Sequence, residues 1–340
     1  MTPAIFGCSG HELTANERDF FREADPAGYI LFGRNCLDRE QLRRLTDELR
    51  DLHGRDRLLV SIDQEGGRVA RLRPPHWSAY PAGGAFDRLY QVAPASAIVA
   101  ARANAEAMAL ELSAMGITVT YHPPLDLRQE GAHDVIGDRA LGSDPMQVAA
   151  LGRAILDGLQ AGGVGGCIKH MPGHGRSLVD THKEMPTVHA SEQELERDLA
   201  PFQALSNARI GMTGHLLFPV WDGENVATLS ETVIRDVIRE KIGFTGLLLS
   251  DDIDMQALSG TIPERSRKAH EAGCDIVLNC WARMDDMEGI CDVLPAMSDA
   301  ITERLARALE LTRIDDSRET ERVELLAKRD DLLAISEQAG

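Results

Sequence analysis

A chain of 340 residues, 43% hydrophobic and 26% charged, has an ordinary globular balance and enough apolar residues for a sizeable core. Its formal net charge of −18 repels phosphate backbones and anionic bilayers, which excludes nucleic acid and membrane surfaces as general partners. A local cationic pocket for a small anionic substrate stays compatible with that charge.

No run of about eighteen apolar residues is present to span a bilayer. The N-terminal MTPAIFGCSGHEL has neither a basic n-region nor a long apolar h-region, so no signal peptide is expected. Cys8, Cys36, Cys167, Cys274, Cys280 and Cys291 are scattered without CxxC spacing. They read as reduced, mostly buried thiols of a cytoplasmic protein, not as disulfides or a zinc site.

Short apolar, β-rich runs alternate with helical patterns along nearly the whole chain. The strand candidates are residues 4–8, 28–32, 58–62, 117–121, 166–170, 210–215, 247–251 and 275–279. Each is almost continuously apolar, as parallel strands covered on both faces are. Amphipathic helices are expected between them, for example over 38–52, 95–115, 145–162, 191–207, 231–241 and 263–273. Asp38, Ser191 and Ser230 stand as N-caps, and Gly116, Gly243 and Gly273 lie near helix ends.

Repeated βα units predict a single (β/α)₈ barrel. A doubly wound sheet would want fewer strands and a glycine-rich turn after the first, which is missing. AGGVGG at 161–166 precedes its strand instead of following it, so it reads as a helix end and loop, not a phosphate cradle. No fixed-period repeat or linker divides the chain, so 1–340 reads as one domain. Residues 314–340 are charge-rich with a helical pattern and read as a surface helix closing the barrel.

The stretch GGCIKHMPGHGRSLVDTH, 165–182, begins as a buried strand and opens into a loop bearing Lys169, His170, His174, Arg176, Asp180 and His182. Chemistry in α/β enzymes sits at such strand ends. The other strand ends add to the set. The third supplies Asp63, Gln64, Glu65 and Arg68, and the segment after the fourth supplies Asp126, Asp138 and Arg139. The sixth supplies His215, the seventh Asp251 and Asp252. A barrel gathers these ends at one mouth. Taken singly, Glu65, Asp126 and Asp254 read as loop polar groups or helix caps.

Carboxylates with Lys, Arg and His, lacking a phosphate cradle or metal spacing, suit a polyhydroxylated substrate held by bidentate hydrogen bonds. Glycoside hydrolysis needs one group at the anomeric carbon and another to protonate the leaving oxygen. Metal-dependent hydrolysis is the rival class, but HMPGH places Pro and Gly between its histidines, unlike an HxH pair. No metal is expected.

The blocks IDQEGGRV, IGDRALG, KHMPGHG followed by DTH, and LLLSDDIDMQAL occur in that order. Together they resemble family 3 glycoside hydrolases, in particular the β-N-acetylglucosaminidases of peptidoglycan recycling. The resemblance spans roughly residues 25–281, and GMTGHLLFP, ATLS and AGCDIVLNC also fall where that family has similar blocks. It implies a catalytic (β/α)₈ barrel, here without the second α/β domain of larger members, and with 314–340 as a charged helical extension.

The resemblance also implies roles. Asp251 matches the nucleophile that forms a covalent glycosyl-enzyme intermediate. Alternation alone leaves Asp251 and Asp252 open, since it places them on opposite faces. Asp63, Arg139, Lys169 and His170 match the residues that bind the −1 sugar. His182 matches a histidine general acid/base on a mobile loop, partnered by Asp180. The family usually has Ser where Thr181 stands, and an acidic residue where Arg176 stands.

A carboxylate beside an imidazole stabilises the cation and keeps a proton available near neutral pH. Asp180 and His182 lie two apart, so in an extended loop they point the same way. The implied activity is a retaining exo-β-N-acetylglucosaminidase acting in the cytoplasm on GlcNAc-anhydro-muropeptides or a similar small carbohydrate, with no cofactor. Glycosyl transfer to phosphate is the alternative, because a histidine acid/base does not repel that anion. A β-glucosidase is disfavoured by the Asp-x-His loop, and a catalytically dead sugar-binding barrel by the filled catalytic positions.

Overall fold

The structure is a computed structural model that describes residues 1–129, 136–177 and 186–338. The first six parallel strands are β1 (Thr2–Gly7), β2 (Pro26–Leu31), β3 (Leu59–Ile62), β4 (Val119–Thr120), β5 (Gly165–Met171) and β6 (Ile210–Thr213). A small antiparallel hairpin, β7 (Leu217–Phe218) and β8 (Asp222–Val226), follows; β9 (Leu247–Asp252) and β10 (Ile276–Asn279) then return to the sheet. The ring closes where Ala4, Ile5 and Phe6 pair with Val277, Leu278 and Asn279. The result is a (β/α)₈ barrel with the strands at the eight expected places. The sequence pattern did not announce the β7–β8 hairpin.

Strand residues divide between two cores. Ile5, Ile30, Leu59, Val119, Cys167, Ile210, Leu247, Leu249 and Ile276 fill the barrel interior. Phe6, Tyr29, Leu31, Val60, Ile168, Leu248 and Val277 face the surrounding helices. Both faces are therefore dry, and this is why the strands read as unbroken apolar runs. Each aliphatic side chain so buried contributes about 1.5–3 kcal/mol.

The outer layer begins with α1 (Ala15–Ala24), α2 (Arg39–His53), α3 (Gly83–Val92), α4 (Pro94–Ala114), α5 (Pro145–Ala161) and α6 (Glu192–Ala204). After the hairpin comes a helix of π spacing, Val233–Lys241, in which the Ile242 amide bonds back to the Val237 carbonyl at 2.8 Å. Then follow α7 (Ile262–Ala272), α8 (Met284–Val293), α9 (Asp299–Leu309) and α10 (Glu319–Gln338). Helix starts follow local chemistry. Asp38 accepts from the Gln41 amide, Ser191 and Glu194 form a capping box, and Ser230 caps Val233. Gly116 ends α4 at φ +77°, and a Cβ there would lie 2.2 Å from Thr46 Oγ1, so only glycine fits. Among the described residues, no helix is long and apolar enough to cross a membrane.

The element beneath the barrel is not the one expected. Helix α9 inserts Ile301, Leu305, Ala308 and Leu309 into the interior cluster. The C-terminal helix α10 instead lies along α4 and α3. Its buried arginines decide this: Arg329 reaches Asn104 at 3.2 Å, and Arg322 reaches Ser78 Oγ at 2.5 Å and Glu111 at 3.4 Å. Glu111 is 2% exposed and also accepts from the Tyr80 hydroxyl. Arg322→Ala should therefore weaken the fold by about 1–3 kcal/mol, because a buried carboxylate loses a charged donor. A lower urea midpoint at unchanged slope is expected. An unchanged midpoint would mean that α10 is not anchored through this pair.

Candidate active site

The barrel brings the C-terminal ends of β3, β5, β9 and β10 around a cavity of about 200 Å³. Its lining includes Asp63, Arg71, Arg139, Lys169, His170, His174, Asp251 and Asp252, with Phe32, Tyr121, Met212 and Met255 as apolar walls.

On one wall, buried charges alternate in sign. Lys169 Nζ sits 2.7 Å from Glu65 and 3.2 Å from Asp63. Arg139 holds the same Glu65 with two bonds, Nε at 2.8 Å and Nη2 at 2.7 Å. Asp63 also accepts from Arg71 at 3.1 Å. Burial alone would raise the Glu65 pKa, but Arg139 and Lys169 outweigh it and hold the carboxyl well below its ordinary value. Burial alone would lower Lys169, and Glu65 and Asp63 reverse that too. Glu65 and Lys169 thus each favour the ionised form in spite of burial.

The turn after β3 sets the wall's shape. Gln64 accepts from the amides of Arg71 and Leu72 and donates to the Leu72 carbonyl, which folds the segment back on itself. Gly66 takes φ +104°, and a Cβ there would meet the Pro81 carbonyl at 2.2 Å. This fold-back delivers Arg71 to the cavity, while Arg68 pairs with Asp138 at 2.9 Å.

Opposite stands an imidazole clamp. Asp126 is fully buried and bonds His170 Nδ1 at 2.8 Å, the His170 amide at 3.2 Å and the His174 amide at 2.7 Å. Burial would raise its pKa, yet His170 and the His174 amide bring it down to about 2. With Nδ1 occupied, the other ring nitrogen of His170 is the one left for a ligand. His174 packs edge-to-face on His170 at 5.6 Å, and burial lowers its pKa to about 4, so it is neutral at pH 7.

Asp251 continues the inward face of Leu247 and Leu249. Its Oδ1 accepts the Asp252 amide at 2.8 Å. Burial pulls its pKa up, but His215, His170, the Asp252 amide and the Lys169 cation together keep it below the ordinary value. Asp252 goes the other way: burial and the neighbouring Asp254 and Asp251 charges push it well above. Two adjacent carboxyls are therefore pushed in opposite directions, Asp251 toward the ionised form and Asp252 toward the protonated one. His215, expected at this mouth, is fully buried behind it, with its ring nitrogens on Thr228 Oγ1 at 2.8 Å and the Asp252 carbonyl at 2.9 Å.

A family model described as the glycosyl hydrolase family 3 N-terminal domain matches residues 9–311. The chain belongs to glycosyl hydrolase family 3. It is a glycoside hydrolase. It is 39% identical over 285 residues to a β-hexosaminidase of Alkalilimnicola ehrlichii, covering 82% of this chain and 81% of that protein. A β-hexosaminidase of Tolumonas auensis is 36% identical over 326 residues, 94% of each chain. Among solved structures, NagZ from Neisseria gonorrhoeae in complex with N-trifluoroacetyl-D-glucosamine superposes with TM-score 0.87 at 32% identity, covering 98% of both chains.

Of the residues that sequence reasoning put forward in this family 3 barrel, Asp63, Arg139, Lys169, His170 and Asp251 all border the one cavity. Asp180 and His182 lie outside the described residues. Glu65 and Asp126 are not loop groups or caps, as each seemed alone, but buried anchors for the cavity's cations and imidazoles. Arg176 bonds Asp198 at 2.5 Å and the Glu194 carbonyl at 3.2 Å, which ties its loop to α6. Among the described residues no group of three His, Cys, Asp or Glu side chains is disposed to hold a metal ion.

Glu65→Gln tests the anchoring role. An amide cannot balance two cations, so Arg139 and Lys169 should lose their fixed positions. Losing a charge-assisted bond costs about 1.5–3 kcal/mol, so kcat/KM should fall roughly ten- to a hundredfold. Unaltered kcat/KM would show that Glu65 is dispensable to the cavity.

Proposed function

We propose that the protein is a retaining exo-β-N-acetylglucosaminidase that removes non-reducing terminal N-acetylglucosamine. In its most specific form the substrate is a GlcNAc-anhydro-muropeptide, met in the cytoplasm during peptidoglycan recycling. The reading is supported by relatives named β-hexosaminidase and by a solved neighbour that holds an N-acylated glucosamine. The observation that carries the mechanism is that Asp251 extends the inward face of β9 into the cavity, beside Lys169 and His170. Only an ionised carboxylate attacks carbon, and the surroundings of Asp251 favour its ionised form while those of Asp252 disfavour it.

In this reading the whole chain acts as one catalytic domain. Asp63, Arg139, Lys169 and His170 hold the hydroxyls of the −1 sugar. An Asp251 oxygen bonds to the anomeric carbon as the bond to the leaving oxygen breaks. The proton for that oxygen comes from His182, whose cation Asp180 stabilises. Water then attacks the anomeric carbon, His182 takes its proton, and Asp251 leaves as carboxylate. Two displacements retain the anomeric configuration.

The deciding assay offers nitrophenyl β-N-acetylglucosaminide and the matching β-glucoside, with and without phosphate. Release from the first alone, unaffected by phosphate, is expected, and Asp251→Asn should abolish it while leaving the folded state intact. A sugar 1-phosphate product would move the reading to phosphorolysis. An active Asp251→Asn beside an inactive Asp252→Asn would overturn the nucleophile.

The acid is tested through the leaving group. A sugar alkoxide needs protonation, whereas a dinitrophenolate departs nearly unaided. His182→Ala should therefore lose most kcat/KM on a disaccharide and much less on activated aryl glycosides. A uniform loss across aryl glycosides of graded leaving-group pKa would remove His182 from that role.

A further inference from the structure

The end of the barrel opposite Asp251 holds two cavities that catalysis at the mouth does not use. One, of about 290 Å³, lies where β5 and β6 begin, between α5 and the end of α9. The other, of about 210 Å³, shares Asn207, Ala208 and Arg209 with it. The barrel interior, filled by Cys167, Ile210 and Leu247, stands between them and the mouth.

The floor of the larger cavity is the end of the glycine-rich segment 161–166. Its amides are spent inside the fold, Gly163 on the Gln160 carbonyl, Val164 on Leu159 and Gly165 on Thr118, so any ligand contact falls to side chains. Packing does not demand a glycine at 165, because a Cβ there would meet nothing closer than 3.5 Å. The missing side chain keeps the floor open. Leu156, Val164, Ala308 and Leu311 make the apolar wall, and Leu311 is 42% exposed.

Guanidiniums dominate the rest, in a chain of net charge −18. The two linings hold Arg153, Arg209, Arg304 and Arg307 against Asp157 and Glu310. Arg209 donates to the Arg307 carbonyl at the end of α9 and to Glu310 at 2.9 Å, which explains it as a helix-end cation. Arg304 pairs with Asp275 at 2.7 Å, a carboxylate that Arg239 also takes at 2.9 Å. Arg153 differs. Asp157 stands one helical turn away, the spacing at which Arg43 pairs with Asp47 and Arg267 with Glu271. Arg153 Nη2 instead donates to Asn207 Oδ1 at 2.7 Å, and among the described residues no carboxylate lies within ion-pair distance of it.

We propose that the larger cavity binds a small organic anion, its carboxylate or phosphate on Arg153 and its apolar body against Leu156 and Leu311. A guanidinium held in place by a neutral amide keeps donors and charge for such a group. An apolar wall with a few fixed polar groups is the ordinary make-up of a small-molecule site. The site does not depend on the glycosidase reading.

Isothermal titration with phenyl phosphate, benzoate and inorganic phosphate tests this. Saturable binding of phenyl phosphate or benzoate to the wild-type chain is expected, and the tighter of the two identifies the anionic group. Inorganic phosphate, which lacks the apolar body, should bind more weakly than phenyl phosphate. Arg153→Glu should weaken binding about tenfold or more, because a charge-assisted donor gives way to a like charge. Asn207→Asp, at an exposed position, gives Arg153 a fixed carboxylate and should do the same. Leu311→Ala should weaken phenyl phosphate and leave inorganic phosphate unchanged. Affinity within twofold of wild type in either charge variant, folded by circular dichroism, would put the anion elsewhere and overturn the site. Absence of saturable binding by all three probes would overturn it as well.

Discussion

The active mouth depends on one buried arrangement, the Glu65 carboxylate shared by Arg139 and Lys169. An isolated charge in that position would neutralise itself by shifting its pKa. Here Glu65 is 4% exposed and Lys169 is 2% exposed, and both stay ionised because each lies against the other at 2.7 Å. Asp63 and Arg71 extend the alternation toward the cavity. Every cation on that wall already has an anion, so a neutral sugar can be gripped by charged donors without any of them being left bare. This also explains why a charged wall can line a cavity that includes the apolar Phe32, Tyr121, Met212 and Met255.

Proton affinity follows from the same geometry at β9. Asp251 and Asp252 are chemically identical and adjacent, yet the pleat gives one of them the cavity's cations and amides and the other the Asp254 carboxylate. Fixing the Asp252 backbone fixes both: its amide bonds Asp251, and its carbonyl takes His215. His215 thus acts from behind the reacting groups. Its Thr228 bond, shared with Thr213 at 2.8 Å, links β6 to the segment after the hairpin.

Most of the framework could be read from the residues because burial on both strand faces leaves a local mark. The strand ends at Asp63, Lys169, His170 and Asp251 carried the same kind of mark, an abrupt polar step after an apolar run. Glu65 and Asp126 did not. Their partners stand 74 and 44 positions away, and nothing local separates a buried anchor from a solvated carboxylate. The strand end offered Arg68 and not Arg71, because only the Gln64 bonds show that the turn folds back to bring Arg71 to the cavity and leave Arg68 on Asp138. The closing helix was misjudged for a similar reason. Helix α9 carries a marked apolar stripe and the charge-rich α10 does not, and the Arg322 and Arg329 contacts place α10 in the outer layer.

The remaining disagreement between local rule and structure points the same way. Interiors satisfy nearly all their polar atoms, yet Arg71 Nε and His174 Nδ1, on residues that line the Asp251 cavity, are buried without a protein partner, as are Arg50 Nε and Trp77 Nε1 away from it. A packed core gains nothing from such atoms, since each costs about 1–3 kcal/mol. A binding surface does, since its donors and acceptors must be held in place before the ligand arrives. The barrel supplies the rigidity for this. Asp126 and Gln64 hold the neighbouring backbone through several bonds each, so the unmatched atoms cannot relax toward a substitute partner. The stability given up at the mouth is what keeps its groups aimed.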